Sequence, residues 1–135
     1  MKKIHYKKGY KYQLVKRYTS KVNINPPHDI ITEQIALSKN GVLVIKKGYP
    51  WDGATCAMDT KSIMRASLEH DALYQLMREG LLAQSYRKQV DEQFKKTCLE
   101  DKMIGLRAWW AYRGVRRFAG YAADPANRKK VFTAP

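Results

Sequence analysis

The stretch Ile31-Thr32-Glu33-Gln34-Ile35-Ala36-Leu37-Ser38-Lys39-Asn40-Gly41-Val42-Leu43-Val44-Ile45 decides how the first half of the chain folds. Ile31, Glu33, Ile35 and Leu37 alternate with Thr32, Gln34 and Ala36, the period of two expected of a half-buried strand. Asn40-Gly41 is the pair that a two-residue type I′ turn requires, because both central positions take positive φ, and Val42-Leu43-Val44-Ile45 follows as the return strand. The reading is an antiparallel hairpin. Upstream, Tyr10, Tyr12 and Leu14 alternate with Lys11 and Gln13 as a further strand. Asn25-Pro26-Pro27-His28-Asp29 separates the two regions as an extended or turning connection, since consecutive prolines cannot donate to a ladder.

Downstream lies the loop Gly48-Tyr49-Pro50-Trp51-Asp52-Gly53-Ala54-Thr55, and beyond it the period becomes helical. A first helix runs from about Ser62 to Met77 or a little beyond, with Gly80 as its stop, and a second from a Ser85 cap to about Met103. Their short link makes an antiparallel pair. A third, from about Leu106 to Ala122, carries Trp109, Trp110, Tyr112, Val115 and Phe118 with Arg107, Arg113, Arg116 and Arg117. Strands followed by helices predict an α+β fold, antiparallel β hairpins and then a three-helix part. At 135 residues the chain has the size of one domain, read as mainly β over 1–50, loop over 51–61, helical over 62–123 and a basic tail over 124–135.

A hydrophobic fraction of 44% excludes wholesale disorder, because a disordered chain lacks the apolar area to offset its entropy. No apolar run reaches the roughly 18 residues of a bilayer span. The start, Met1-Lys2-Lys3-Ile4-His5-Tyr6-Lys7-Lys8, has no apolar stretch behind its charges, so the expectation is a cytoplasmic chain with Cys56 and Cys98 as free thiols. There is no Gly-rich phosphate loop, nucleophile elbow or C-x-x-C, which leaves nucleotide hydrolysis and serine-hydrolase chemistry without residues to carry them.

The net charge of +14 is concentrated at the two ends: residues 1–21 hold eight Lys/Arg and no acid, and residues 102–135 hold eight against one acid. Lys2, Lys3, Lys7 and Lys8 at one end and Arg113, Arg116 and Arg117 at the other are candidate contacts for an anionic partner: nucleic acid, anionic lipid or an acidic protein surface. With Trp109, Trp110 and Tyr112 beside them, the arginines fit stacking on single-stranded nucleic acid; a core helix with solvated arginines is the plainer reading.

On the first helix Ala66, His70, Leu73, Tyr74 and Met77 share one stripe, and on the second Asp91, Phe94 and Cys98 do the same. An ionised carboxylate is costly to bury alone, and His70 on the antiparallel neighbour is the partner on offer for Asp91. A His held by an Asp, with its other ring nitrogen free, is the arrangement of a base that deprotonates water. Asp71 points about 100° away from His70, and Asp52 stands in a turn whose carbonyls and carboxylate suit a hard cation such as calcium. The alternatives are a core histidine, an Asp91 that pairs with Arg65 or Arg87, and an Asp52 that shapes its own turn.

These residues, Asp52-Gly53-Ala54-Thr55, Leu68-Glu69-His70-Asp71-Ala72-Leu73-Tyr74 and Val90-Asp91-Glu92-Gln93-Phe94, resemble the calcium loop, H-D-x-x-Y helix and second-helix Asp of phospholipase A(2), above all its short prokaryotic form. The resemblance spans residues 52–94 and implies a hydrolase in which His70 activates water, Asp91 orients it, Tyr74 donates a supporting hydrogen bond, and Asp71 and Asp52 hold calcium. Over most of its length the chain also resembles an uncharacterised family of tailed phages and prophages, which implies a phage-encoded protein. The alternative function is that of a non-enzymatic basic phage protein binding nucleic acid, a virion component or a host target.

Overall fold

The computed structural model describes residues 3–7, 12–53, 61–118 and 120–125. The fold is α+β. Among the described residues seven short strands come first: β1 Tyr6–Lys7, β2 Tyr12–Leu14, β3 Tyr18–Lys21, β4 Ile30–Ile31, β5 Ile35–Leu37, β6 Val42–Ile45 and β7 Pro50–Trp51. Helices α1 Lys61–Arg78, α2 Arg87–Glu100, α3 Gly105–Phe118 and α4 Gly120–Ala123 follow, with a single 3-10 turn at Gln84–Tyr86 before α2. The strands form two antiparallel sheets, one of order β1-β2-β7 and one of order β3-β6-β5-β4.

The hairpin between β5 and β6 is present, but its turn differs from the expected type. Gly41 alone in the turn has positive φ, 84°, while Asn40 does not. The Gly41 N–H donates to Ser38 O at 2.9 Å and the Ser38 N–H to Val42 O at 3.0 Å, so Lys39-Asn40-Gly41 is a three-residue loop ending in a left-handed glycine. Packing reinforces the choice. A Cβ on Gly41 would stand 2.5 Å from Val22 O, and the Val22 N–H donates to Gly41 O at 2.8 Å.

The strand read over 31–37 is in fact broken. Thr32 Oγ1 accepts from the Ile35 N–H at 2.9 Å and donates to Ile35 O at 2.8 Å, closing a tight turn that folds β4 back on β5. The pairing is Ile30 with Leu37 and Ile31 with Ala36. Ile30 therefore enters the core and Ile31, expected inside, is exposed. Alternation alone missed this because a hydroxyl bonding its own backbone interrupts the ladder without changing the hydropathy pattern. Pro50–Trp51, expected as loop, pairs with β2, and Tyr18–Lys21 forms a further strand, β3, beyond those expected from the sequence. Tyr10, Lys11, Ala54 and Thr55 lie outside the described residues.

The first helix occupies Lys61–Arg78 and is buried nearly all round, not along one stripe, as befits the central element of a core. Gly80, at φ 76°, ends it: the Gly80 N–H reaches Met77 O at 3.0 Å and the Leu81 N–H reaches Leu76 O at 2.9 Å. The second helix ends in the same way on Lys102, φ 72°, with Lys102 N–H to Leu99 O at 3.1 Å and Met103 N–H to Cys98 O at 3.0 Å. Ser85, expected as the cap of α2, lies inside the 3-10 turn, and α2 begins at Arg87 without a side-chain cap. The third helix is described over Gly105–Phe118 and α4 over Gly120–Ala123, with residue 119 outside the described residues.

One contiguous core joins the two halves, with Leu14, Ile24, Leu37, Leu43 and Ile45 from the β part against Ile63, Leu68, Leu73, Leu76 and Met77 of α1. Polar ties fix their register. Trp51 Nε1 donates to Ser67 Oγ at 3.0 Å, the Tyr49 hydroxyl to Gln75 Oε1 at 3.0 Å, and the Asn23 N–H to Gln93 Oε1 at 2.9 Å. Among the described residues no helix is long and apolar enough to cross a membrane.

Candidate active site

His70 lies in the third turn of α1 and Asp91 in the second turn of α2, which runs back beside it. His70 Nε2 is 2.8 Å from Asp91 Oδ1, and the Tyr74 hydroxyl, one turn beyond His70, donates to the same oxygen at 2.5 Å. The imidazole packs against two rings, Tyr74 tilted by 32° with its centroid at 4.0 Å and Phe94 edge-on at 5.2 Å. The structure thus brings His70, Asp91 and Tyr74 together.

The second oxygen of Asp91 belongs to α3. Arg116 Nη1 donates to Asp91 Oδ2 at 2.9 Å, and Arg87 Nε stands 4.0 Å from the same atom. Arg87 also donates to the Tyr74 hydroxyl at 3.0 Å and, through Nη2, to the carbonyls of Arg116 at 2.6 Å and Val115 at 3.4 Å, tying α2 to α3. Asp91 is fully buried. Burial works to raise its pKa, but the hydrogen bonds from His70, Tyr74 and Arg116 outweigh it and hold the carboxyl below its ordinary value, so Asp91 is ionised. Burial and the Asp91 charge push the Tyr74 phenol up, so it remains a donor.

An ionised carboxylate only accepts, which puts the proton of a neutral His70 on Nε2 and the lone pair on Nδ1. Among the described residues Nδ1 has no hydrogen-bond partner, and no side-chain nitrogen or oxygen there is both buried and unpartnered. His70 as a whole is buried, 6% exposed.

The other predicted positions are more dispersed. Asp52 is exposed beside β7 and Asp71 is half-buried on α1. After burial itself, the charge of Asp71 is the largest influence raising the pKa of the Tyr49 phenol, and Asp52 adds to it, so both carboxylates lie on the Tyr49 side of α1. Among the described residues no three His, Cys, Asp or Glu side chains cluster tightly enough to hold a metal ion, so a calcium ion at Asp52 and Asp71 would complete its shell with backbone or water oxygens. Of the cationic candidates, Lys3, Arg113 and Arg117 are exposed, Lys7 stands in β1, and Lys2 and Lys8 lie outside the described residues. Arg116 is not a free surface cation, since its guanidinium is committed to Asp91.

A second buried network went unread in the sequence. Glu69, next to His70 but on another face of α1, accepts from the Tyr18 hydroxyl at 2.7 Å and the Thr97 hydroxyl at 2.7 Å, with Arg65 Nη1 at 3.8 Å. Arg65 bonds Asp101 through Nε at 3.0 Å and Glu100 through Nη2 at 2.8 Å. The i, i+4 spacing of Arg65 and Glu69 was the available signal; a strand tyrosine as third partner had none. The free thiol of Cys98 is buried, and that burial pushes its pKa up to about 12, so it is inert; Cys56 lies outside the described residues. Comparison with models of known families, with curated proteins and with solved structures finds no match for this chain.

Proposed function

We propose that the protein is a hydrolase of the phospholipase A(2) type, encoded by a tailed phage or prophage and acting in the host cytoplasm, with His70 as the base. The observation that carries this reading is the His70 Nε2 to Asp91 Oδ1 contact of 2.8 Å, with no hydrogen-bond partner for Nδ1 among the described residues. In the reaction Nδ1 takes a proton from water as the water oxygen bonds to the acyl carbon of an ester. The carbon–oxygen bond of the leaving group then breaks, and the alkoxide receives the proton from Nδ1. Asp91 holds the ring in the Nε2–H tautomer and offsets the positive charge that forms on it, while Tyr74 and Arg116 keep Asp91 ionised and oriented. Asp52 and Asp71 are the residues that would hold calcium, whose chemistry is to polarise the ester carbonyl.

The test is hydrolysis of a glycerophospholipid and of a soluble p-nitrophenyl ester by the parent, His70→Gln and Asp71→Asn. Loss of the base should lower the rate by about a hundredfold to ten-thousandfold with the far-ultraviolet dichroism unchanged. Calorimetric titration with calcium should show heat that Asp71→Asn removes. A parent with no esterase activity, or a His70→Gln protein as active as the parent, would leave the pair as a structural element of the helix interface.

A further inference from the structure

From the outward face of α3 we infer that the protein docks on the surface of an anionic lipid bilayer. Ala108, Ala111 and Val115 turn inward on α3, and Leu106, Trp110, Arg113 and Arg117 fall at i, i+4, i+7 and i+11 on the opposite side. Ile104 is 71% exposed, Leu106 69%, Trp110 64% and Trp109 43%, all within one stretch of seven residues. Single exposed apolar side chains are ordinary on a protein surface; Leu106, Trp109 and Trp110, neighbours at i, i+3 and i+4 with the two tryptophan rings 5.3 Å apart, form a patch, and Ile104 stands just before it in sequence.

Charge identifies the cover. Besides Arg116, which pairs with Asp91, the sequence from Lys102 to Phe118 holds Lys102, Arg107, Arg113 and Arg117 and no acid. Arg107 and Arg113 are exposed, and the Arg113 guanidinium lies 5.5 Å from the centre of the Trp109 ring. A second copy of this chain would bring a like-charged face against this one, which opposes self-association. Single-stranded nucleic acid would stack on the tryptophans and pair with the arginines but would leave Ile104 and Leu106, which have no π-face, without a partner. A bilayer with anionic headgroups satisfies all three classes: aliphatic side chains enter the acyl layer, tryptophans sit at the headgroup level, and arginines meet phosphates. Among the described residues no helix is long and apolar enough to cross a membrane, so α3 lies in the plane of the interface. This inference stands on α3 alone and does not require His70 to be catalytic.

The experiment uses the full chain with vesicles of phosphatidylcholine alone and of phosphatidylcholine mixed equally with phosphatidylglycerol. Flotation should recover the protein with the anionic vesicles only, with a blue shift of tryptophan emission as Trp110 leaves water. Leu106→Ser with Trp110→Ser, and separately Arg107→Ser with Arg113→Ser, should each weaken that binding at least about tenfold, since both insertion and charge contribute. These positions are exposed, and an unchanged thermal midpoint verifies the fold of each variant. No flotation with anionic vesicles overturns the proposal, as does equal flotation with both vesicle types. Tighter binding of a single-stranded oligonucleotide that Ile104→Ser and Leu106→Ser leave unaltered would overturn it in favour of nucleic acid. A dimer in light scattering that Leu106→Ser with Trp110→Ser dissociates would overturn it in favour of a second copy.

Discussion

Arg116 of α3 donates to Asp91 of α2 across 2.9 Å, so the third helix supplies the counter-charge for a carboxylate that the first helix contacts through His70 and Tyr74. Arg116→Ala should lower unfolding stability by about 1–3 kcal/mol, below the full cost of breaking a buried pair because the arginine is itself partly exposed. Urea unfolding measures it, and a loss under about 0.5 kcal/mol would mean that Arg87, 4.0 Å from the same oxygen, neutralises Asp91 unaided.

Asp91 also sets an acid limb. Its folded pKa is depressed by its donors against the opposing effect of burial, so the native state binds this proton less readily than the unfolded chain, whose carboxyl titrates near about 3.9. The stabilisation is complete above about pH 4 and is lost as pH falls through the depressed folded value. Asp91→Asn should cost about 2–4 kcal/mol at neutral pH, because Arg116 then faces an amide, and should flatten the decline in stability below about pH 4. Denaturation midpoints of parent and variant across the acid range test both parts.

Arg65 joins α1 to the end of α2 through Asp101 and Glu100 and is the cation nearest the buried Glu69. Burial raises the Glu69 pKa, and Arg65 works against that rise. Arg65→Ala removes the only opposing positive charge close to Glu69 among the described residues and should destabilise by about 3–5 kcal/mol. Glu69 should then take up its proton at higher pH, so the penalty should shrink as pH is lowered. A penalty independent of pH would show that Arg65 acts through packing and its α2 contacts alone.

Two turn positions are predicted to respond in opposite directions. Gly41→Ala places a Cβ 2.5 Å from Val22 O at a φ of 84° and should cost about 2 kcal/mol or more. Lys102 takes a φ of 72° at the end of α2, where glycine carries no steric cost, so Lys102→Gly should stabilise by about 0.5–1 kcal/mol. Thermal melts of the two variants, bracketing the parent, check the pair.

Features that depend on neighbours along the chain are legible without the fold. The change from a period of two to helical spacing near residue 50 separates the β part from the helices, Gly80 marks the end of α1, and the stripe positions of His70, Tyr74 and Asp91 follow from 3.6 residues per turn. Local patterns go astray where a side chain or a distant strand competes with the ladder. Thr32 bonding Ile35 splits one expected strand in two and turns Ile31 outward, and Val22 O pressing on Gly41 coincides with a turn other than the one Asn40-Gly41 suggests. Which charges meet depends on how the helices and strands pack. Arg116 reads as one more surface cation beside Arg113 and Arg117 until α3 folds over Asp91, and Tyr18 gives no sign of Glu69, 51 residues away. The physical reason is that burying a carboxylate leaves a large desolvation cost that some partner must offset, while hydropathy records only that it is buried and says nothing of which distant helix or strand brings the partner.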